Sequence, residues 1–146
     1  MKKIFVTVAL LFAGITVSLA DNDRPITLEQ LPAPAQTFLK THFGDLTLAY
    51  AVEDPKLIGS EYEVTYTDRT EVEFRSNGEW SSVERRYAAV PASIVPVQIS
   101  AYVAKSSFPN QFIKKIERNS YTWEIELSNG IEIEFDKDFR VIDIDD

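Results

Sequence analysis

The sequence predicts an α+β fold, formed by tandem duplication of a helix followed by a four-stranded antiparallel sheet, with the helices packed on one sheet face. Three observations support this prediction. The segment 62–74 resembles the segment 123–135 at an offset of about 61 residues. A helical pattern that begins with proline precedes each copy. Within the copies, apolar residues alternate with glutamates, which is typical of strands with one buried face.

The first 20 residues are predicted to be a signal peptide. A basic start is followed by an apolar run over residues 4–17, and Ser18 and Ala20 form a small-residue cleavage pattern. The apolar run is shorter than the roughly 20 residues that a spanning helix needs, so an uncleaved anchor is the less favoured alternative. No cysteine follows the run for lipid attachment. We expect an exported protein, periplasmic or secreted, with no membrane insertion after cleavage.

The net negative charge of the chain limits the kinds of molecule that it can bind. The chain has 15 Lys and Arg against 23 Asp and Glu, and cleavage would remove two lysines, which leaves a net charge of about −10. Such a chain repels phosphate backbones, so nucleic acid is excluded as a partner, whereas a cationic protein or a divalent cation is compatible. Without cysteines, stability must come from a buried core. The exported part is long enough to bury one core.

The chain is predicted to divide into units 21–87 and 88–146, which form one compact domain. Residues 21–24 are predicted to be a polar leader, and Thr27 with Gln30 has the spacing of a capping box. A helix follows in each unit. Its apolar stripe comprises Ala35, Phe38, Leu39 and Phe43 in the first unit, and Ile94, Val95, Ile99, Tyr102 and Val103 in the second.

Each unit then carries four predicted strands. They cover residues 46–53, 61–67, 70–75 and 79–85 in the first unit, and 112–117, 121–127, 131–135 and 139–144 in the second. Asn77-Gly78 and Asn129-Gly130 are strong hairpin signals, because a type I′ turn needs positive φ at both central residues. The glutamates of these strands should point to solvent, away from the helices: Glu61, Glu63, Glu71, Glu73, Glu124, Glu126, Glu132 and Glu134.

These motifs resemble the PepSY-like family of small exported proteins from Bacteroides-type bacteria, which is also described as similar to the beta-lactamase inhibitor protein. The resemblance is carried by Leu31-Pro32 and Val95-Pro96, by the aromatic-Glu-aliphatic strands, and by Asn-Gly-x-Glu-Ile-Glu-Phe-Asp at residues 129–136. The first copy departs from the last motif, with Asp68-Arg69 in place of Asn-Gly. The resemblance implies two tandem helix-plus-four-strand units that bind or inhibit other exported proteins, and it implies no catalytic residues.

The residues themselves also argue against an enzyme. His42 is the only histidine, there is no cysteine, and no Gly-x-Ser-x-Gly motif is present, so nucleophilic triads and zinc sites lack their usual groups. His42 lies at a predicted helix end, where an imidazole interacts well with the terminal carbonyls. The glutamates recur at alternate strand positions, as a solvated sheet face requires without any catalytic demand.

Calcium is the one cofactor that the sequence suggests. Asp136-Lys137-Asp138 resembles the start of a calcium loop, with Asp136 and Asp138 as candidate ligands. Phe139 stands where further ligands would follow, and the glycine and closing glutamate of an EF-hand are missing. A polar turn without metal is therefore the alternative.

The sequence thus predicts a non-catalytic exported binding module, an inhibitor or regulator of another envelope protein that it meets through its exposed sheet face. A calcium-binding or calcium-responsive periplasmic protein is the alternative. Arg75 is the basic exception on that face, and Trp80 is the candidate anchor at its rim, because binding hot spots favour tryptophan. The candidate contact residues are Glu63, Glu73, Arg75, Trp80, Glu124, Glu126, Glu132 and Glu134.

Overall fold

The computed structural model describes residues 22–146, so the predicted signal peptide lies outside the described residues. In this part of the chain, nine strands form one antiparallel sheet, and two α-helices accompany it. The strands are β1 Arg24–Ile26, β2 Leu48–Pro55, β3 Ser60–Tyr66, β4 Thr70–Phe74, β5 Trp80–Arg85, β6 Ile113–Arg118, β7 Thr122–Leu127, β8 Glu132–Asp136 and β9 Val141–Asp145. The helices are α1 Ala33–Phe43 and α2 Val97–Lys105, and each follows a short 3₁₀ turn.

The predicted pair of four-stranded sheets, each with its own helix, is wrong. Each strand pairs with the next along the chain, from β1 to β9, and the sheet is continuous. The join lies between β5 and β6, where Ser82 is opposite Glu117 and Val83 is opposite Ile116. Two separate sheets would leave the backbone groups of both strands unpaired at exposed edges, and this pairing removes those edges.

The predicted polar leader is also partly a strand. Arg24–Ile26 forms β1 and pairs with β2, with Pro25 opposite Val52. A proline is tolerated there because β1 lies at the edge of the sheet, where one side of the strand needs no partner. Three residues are too few to show a period-two pattern in the sequence.

Proline and glycine set the limits of the helices. Pro34 stands in the first turn of α1, where a missing N–H costs no hydrogen bond, and Pro96 caps α2. After α1 comes Gly44, and a Cβ atom there would lie 2.7 Å from the carbonyl oxygen of Lys40. The predicted capping box is present at Thr27 and Gln30, although it begins the 3₁₀ turn before α1 and not α1 itself.

One hydrophobic core joins the helices to one face of the sheet. Its helical members are Ala35, Leu39, Phe43, Ile99 and Val103, and its fully buried sheet members include Val64, Val72, Phe74, Val83, Ile116, Ile125, Ile133 and Phe135. Because core residues alternate with acidic ones along the strands, the opposite face carries the carboxylates. That opposite face of β3 to β9 is called the acidic face below.

Candidate functional site

A row of carboxylates crosses the acidic face at right angles to the strands. Directly opposite positions in neighbouring strands share a face of the sheet. The strand register therefore places Glu63, Glu73, Ser82, Glu117, Glu124, Glu134 and Asp143 side by side from β3 to β9. Neighbouring strands are about 4.8 Å apart, so adjacent glutamates face each other at close range. We call this set the central row.

A second row runs parallel to the first and contains a lysine. It comprises Thr65, Glu71, Glu84, Lys115, Glu126, Glu132 and Asp145. The Nζ atom of Lys115 lies 2.9 Å from Glu117 Oε1 in the central row and 3.8 Å from Glu84 Oε2. Lys114, at a β-bulge, contacts Glu126 at 3.0 Å. These two lysines compensate part of the negative charge near β6.

Burial and mutual repulsion raise the pKa of several of these carboxyls. The pKa of Glu73 rises to about 7 because its side chain is largely removed from water and Glu63 and Glu117 lie nearby. The pKa of Glu71 also rises to about 7, from burial and from Glu63 and Glu84. Burial similarly raises the pKa of Glu124, and Glu117 adds to the effect. The charged form of these groups is therefore held at a cost in free energy.

A cavity of about 330 Å³ lies at one end of the acidic face. Four glutamates line it, namely Glu61, Glu73, Glu117 and Glu124, together with two arginines, Arg75 and Arg118, and four uncharged polar residues. Arg75 donates from Nη2 to the carbonyl oxygen of Arg118 at 2.8 Å, and its Nη1 lies 4.0 Å from Glu79 Oε2. The Arg75 guanidinium is thus held at the wall of the cavity by β6, and carboxylates outnumber arginines in the lining by four to two.

The structure brings most of the predicted contact residues together. Glu73, Arg75 and Glu124 line the cavity, and Glu63 and Glu134 flank it in the central row. The second row holds Glu126 and Glu132.

Trp80 is the exception, because the expected rim position is wrong. Its side chain is 8% exposed and belongs to the core on the other face, with its ring 6.1 Å from that of Phe38. The Arg118 guanidinium lies 3.9 Å from the Trp80 ring centroid, a cation–π contact. The β-bulge between β4 and β5 places Trp80 opposite Phe74, which the sequence pattern did not show.

The residues at the centre of the two rows were not predicted, namely Ser82, Glu84, Lys115 and Glu117. They lie on β5 and β6, and they join the site because these two strands pair across the middle of the sheet. Because Lys115 and Glu117 alternate with the apolar Ile116, which is buried, the sequence could have shown that both lie on the face opposite the core. Which residues of β5 lie opposite them could not be predicted locally, because that depends on the long-range pairing of β5 with β6.

Asp136 and Asp138, the candidate calcium ligands, form the turn between β8 and β9. Asp136 Oδ1 accepts hydrogen bonds from the backbone N–H groups of Asp138 at 2.9 Å and Arg140 at 3.0 Å. Phe139 at φ 61° completes the turn. Within residues 22–146, no three His, Cys, Asp or Glu side chains are grouped so that they could hold a metal ion. The geometry here is that of a side chain stabilising a tight turn.

His42 lies in the last turn of α1, as expected for a structural histidine. Its ring is 4.6 Å from the Phe38 ring, and Ser93 Oγ lies 3.5 Å from its Nδ1. The contact links α1 to the 3₁₀ turn before α2.

Neither helix in the described part of the chain has the length and apolar character needed to cross a bilayer.

Solved structures of Bacteroides proteins share this fold. A "putative periplasmic protein" of the DUF2874 family from Bacteroides vulgatus is 45% identical, with a TM-score of 0.83 over 87% of this chain and 99% of that one. A "putative calcium-regulated periplasmic protein" from Bacteroides thetaiotaomicron is 39% identical, with a TM-score of 0.82 over 86% and 98%. A third, from Bacteroides vulgatus and of unknown function, is 30% identical, with a TM-score of 0.79 over 85% and 99%.

All three structures are described as periplasmic, which confirms the predicted location, periplasmic or secreted. No curated protein matches the chain. The family model described as "putative beta-lactamase-inhibitor-like, PepSY-like" matches residues 60–143, which is most of the sheet. The resemblance inferred from the strand motifs is therefore confirmed, and the chain belongs to the PepSY-like family.

Proposed function

We propose that the protein is a non-catalytic binding module that inhibits or regulates another exported protein, which it contacts through the acidic face. The observation that carries the proposal is the central row, in which glutamates stand directly opposite one another on neighbouring strands. Like charges at opposite positions destabilise a sheet. Solubility needs only dispersed charge, so this costly concentration supports a binding role.

A cationic surface is the complement of such a row. Lysine or arginine side chains of a partner would neutralise the facing carboxylates and favour their charged form. The cavity beside Arg75 offers room for one such side chain among Glu61, Glu73 and Glu124. Complementary charge speeds association and fixes the orientation of the partner, and added salt weakens both effects.

Charge reversal tests this proposal. The mature chain would be used to recover partners from periplasmic extract, and the affinity of the purified complex would be measured at low and high salt. We expect Glu124→Lys with Glu134→Lys to weaken binding by about 100-fold and to reduce its salt dependence. The matched control, Glu29→Lys with Asp45→Lys, changes the charge equally at exposed positions outside the strands. Equal affinity of the two double variants would refute the role of the acidic face.

Calcium response is the second candidate function, favoured by the description of the 39% identical relative as calcium-regulated. Calcium takes oxygen ligands, and the carboxylates of the acidic face and of the β8–β9 turn are candidates for them. Thermal unfolding with calcium and with chelator tests this candidate. A ligand at about 100 times its Kd stabilises a protein by about 2.7 kcal/mol, so millimolar calcium should raise the Tm by several degrees if a site exists. Equal Tm values in both buffers remove the candidate.

A further inference from the structure

The hairpin between β2 and β3 holds two apolar side chains in solvent. Leu57 is 106% exposed and Ile58 is 92% exposed, the highest values among the large hydrophobic residues in the described chain. Surface loops usually carry polar residues or glycine, and a single exposed apolar residue needs no explanation. Two adjacent aliphatic side chains at a hairpin tip, both without intramolecular contacts to shield them, are less readily explained by folding.

The tip is held in place by its base. The Lys56 N–H donates to the carbonyl oxygen of Gly59 at 2.9 Å, and Gly59 has a φ of +74°, which favours glycine. The Gly59 backbone also packs against Ser76 in the turn between β4 and β5, since a Cβ atom at Gly59 would lie 2.8 Å from the Ser76 Cβ. Lys56 Nζ forms ion pairs with Asp54 at 2.6 Å and Glu61 at 3.9 Å. A tip fixed in this way loses little conformational entropy when it binds.

The tip adjoins the acidic face. Glu61, which pairs with Lys56 at the base of the tip, is also a lining residue of the cavity beside Arg75. Asp54 lies opposite Glu61 in the β2–β3 ladder, so carboxylates stand at the base of the exposed Leu57 and Ile58. One partner surface can therefore meet the apolar tip and the acidic face together. An anionic lipid surface would be repelled by the same carboxylates.

We propose that Leu57 and Ile58 are an anchor that inserts into an apolar pocket of the exported partner protein, and that basic residues surround this pocket. The inference rests on the proposed function, because the basic surroundings are the surface that the acidic face contacts. Anchors of this kind supply affinity, since desolvated side chains at the centre of an interface carry most of its energy. The acidic face then supplies orientation and speed of association.

Site-specific cross-linking locates the contact. Ile58→benzoylphenylalanine in the full mature chain, irradiated in periplasmic extract, should form a covalent adduct with one protein. Mass spectrometry should place the adduct in an apolar pocket with lysine or arginine at its border. A cross-link to a flat or acidic surface, or no cross-linked protein, overturns the inference.

Affinities with the purified partner then test the energetics. We expect Leu57→Ser with Ile58→Ser to weaken binding by about 30-fold or more, with the salt dependence retained. The matched control, Val97→Ser with Tyr87→Ser, alters two other exposed apolar residues, which are 76% and 71% exposed, and should change affinity less than about 3-fold. Circular dichroism should show all variants folded. Unchanged affinity of the tip variant overturns the inference.

The two proposals fail separately. If Glu124→Lys with Glu134→Lys weakens binding and the tip variant does not, the anchor is wrong and the acidic face stands. If the tip variant alone weakens binding, the acidic face is wrong, and so is the basic border that the anchor requires. Co-sedimentation with phosphatidylethanolamine vesicles checks a lipid contact: vesicle binding by the wild type that the tip variant loses would overturn the inference in favour of a membrane.

Discussion

Glu73 shows how burial and neighbouring charge combine at a single residue. Both raise its pKa, to about 7 in the folded protein, whereas an unfolded glutamate has a pKa of about 4.3. Between these two values the folded state binds more protons than the unfolded state, so stability falls as pH rises through this interval. Glu71 acts in the same direction with a pKa of about 7. The acidic face therefore destabilises the fold less at pH 5 than at pH 8.

Replacing Glu73 with glutamine should remove part of this pH dependence. Glu73→Gln keeps the shape of the side chain and removes the charge, so we expect it to raise the free energy of unfolding at pH 8 by about 1 kcal/mol after solvent screening. At pH 5 the change should be smaller. Urea unfolding at both pH values measures the difference. Glu29→Gln, at an exposed position before α1, is the control, and an equal effect of both substitutions would contradict the assignment.

Phe135 represents the opposite face of the sheet. It is fully buried, and its ring meets that of Tyr102 from α2 edge to face at 5.4 Å. Phe135→Ala should cost about 3–5 kcal/mol, because it removes buried area and leaves a cavity between β8 and α2. Phe135→Leu should cost less, since most of the volume remains. Urea unfolding checks both, and a cost below about 1 kcal/mol for the alanine variant would show that α2 does not depend on this contact.

At the level of single elements, regular alternation could be predicted from the sequence, whereas short strands and β-bulges could not. Strands β7 and β8 follow the predicted alternation closely, with Ile125 and Ile133 in the core and Glu124 and Glu134 on the opposite face. Period two is a local property, so one sequence was enough to predict it. The edge strand β1 was missed because three residues carry no period, and Trp80 was misplaced because a bulge shifts the register by one residue.

Substitutions in the β8–β9 turn can distinguish a structural role of Asp136 from a metal-binding role. Asp136→Ala removes the acceptor of two backbone N–H groups, so we expect a loss of about 1–2 kcal/mol in unfolding free energy with calcium or chelator alike. Asp136→Asn keeps an acceptor oxygen and should lose less. Asp138→Ala, whose side chain is largely exposed, should have little effect. If the loss at Asp136 appears only with calcium present, a metal site exists there instead.

At the level of the whole molecule, one long-range pairing, between β5 and β6, connects the two halves of the sheet. The β5–β6 ladder unites the sheet, and it brings Glu117 and Lys115 into rows that the local pattern predicted only for the outer hairpins. The predicted glutamates therefore share one face of the sheet, whereas the residues at the centre of that face were not predicted. Their role in binding stays a prediction. A repeat in the sequence shows that two segments are alike, but it contains no information on whether their edges meet.

The same ladder predicts that the first half of the chain does not fold by itself. Residues 21–87 are about 67 residues without disulfides, a size at which burial is marginal, and they would expose the inner edge of β5. We expect this fragment to unfold without a sharp transition and to aggregate. Calorimetry and size-exclusion chromatography of the fragment, with residues 21–146 as reference, provide the measurement. A cooperative melt of the monomeric fragment would show that it is an independent domain.

The agreement of strand order with chain order bears on how the protein assembles as it leaves an export channel. Among residues 22–146, no strand has to enter between two that are already paired. Each strand from β2 onward therefore meets its neighbour as soon as it emerges. The delay is longest after β5, because residues 86–112 must emerge before β6 arrives. During this delay β5 is the growing edge, and Glu84 and Arg85 place charge on it, which opposes pairing with another chain.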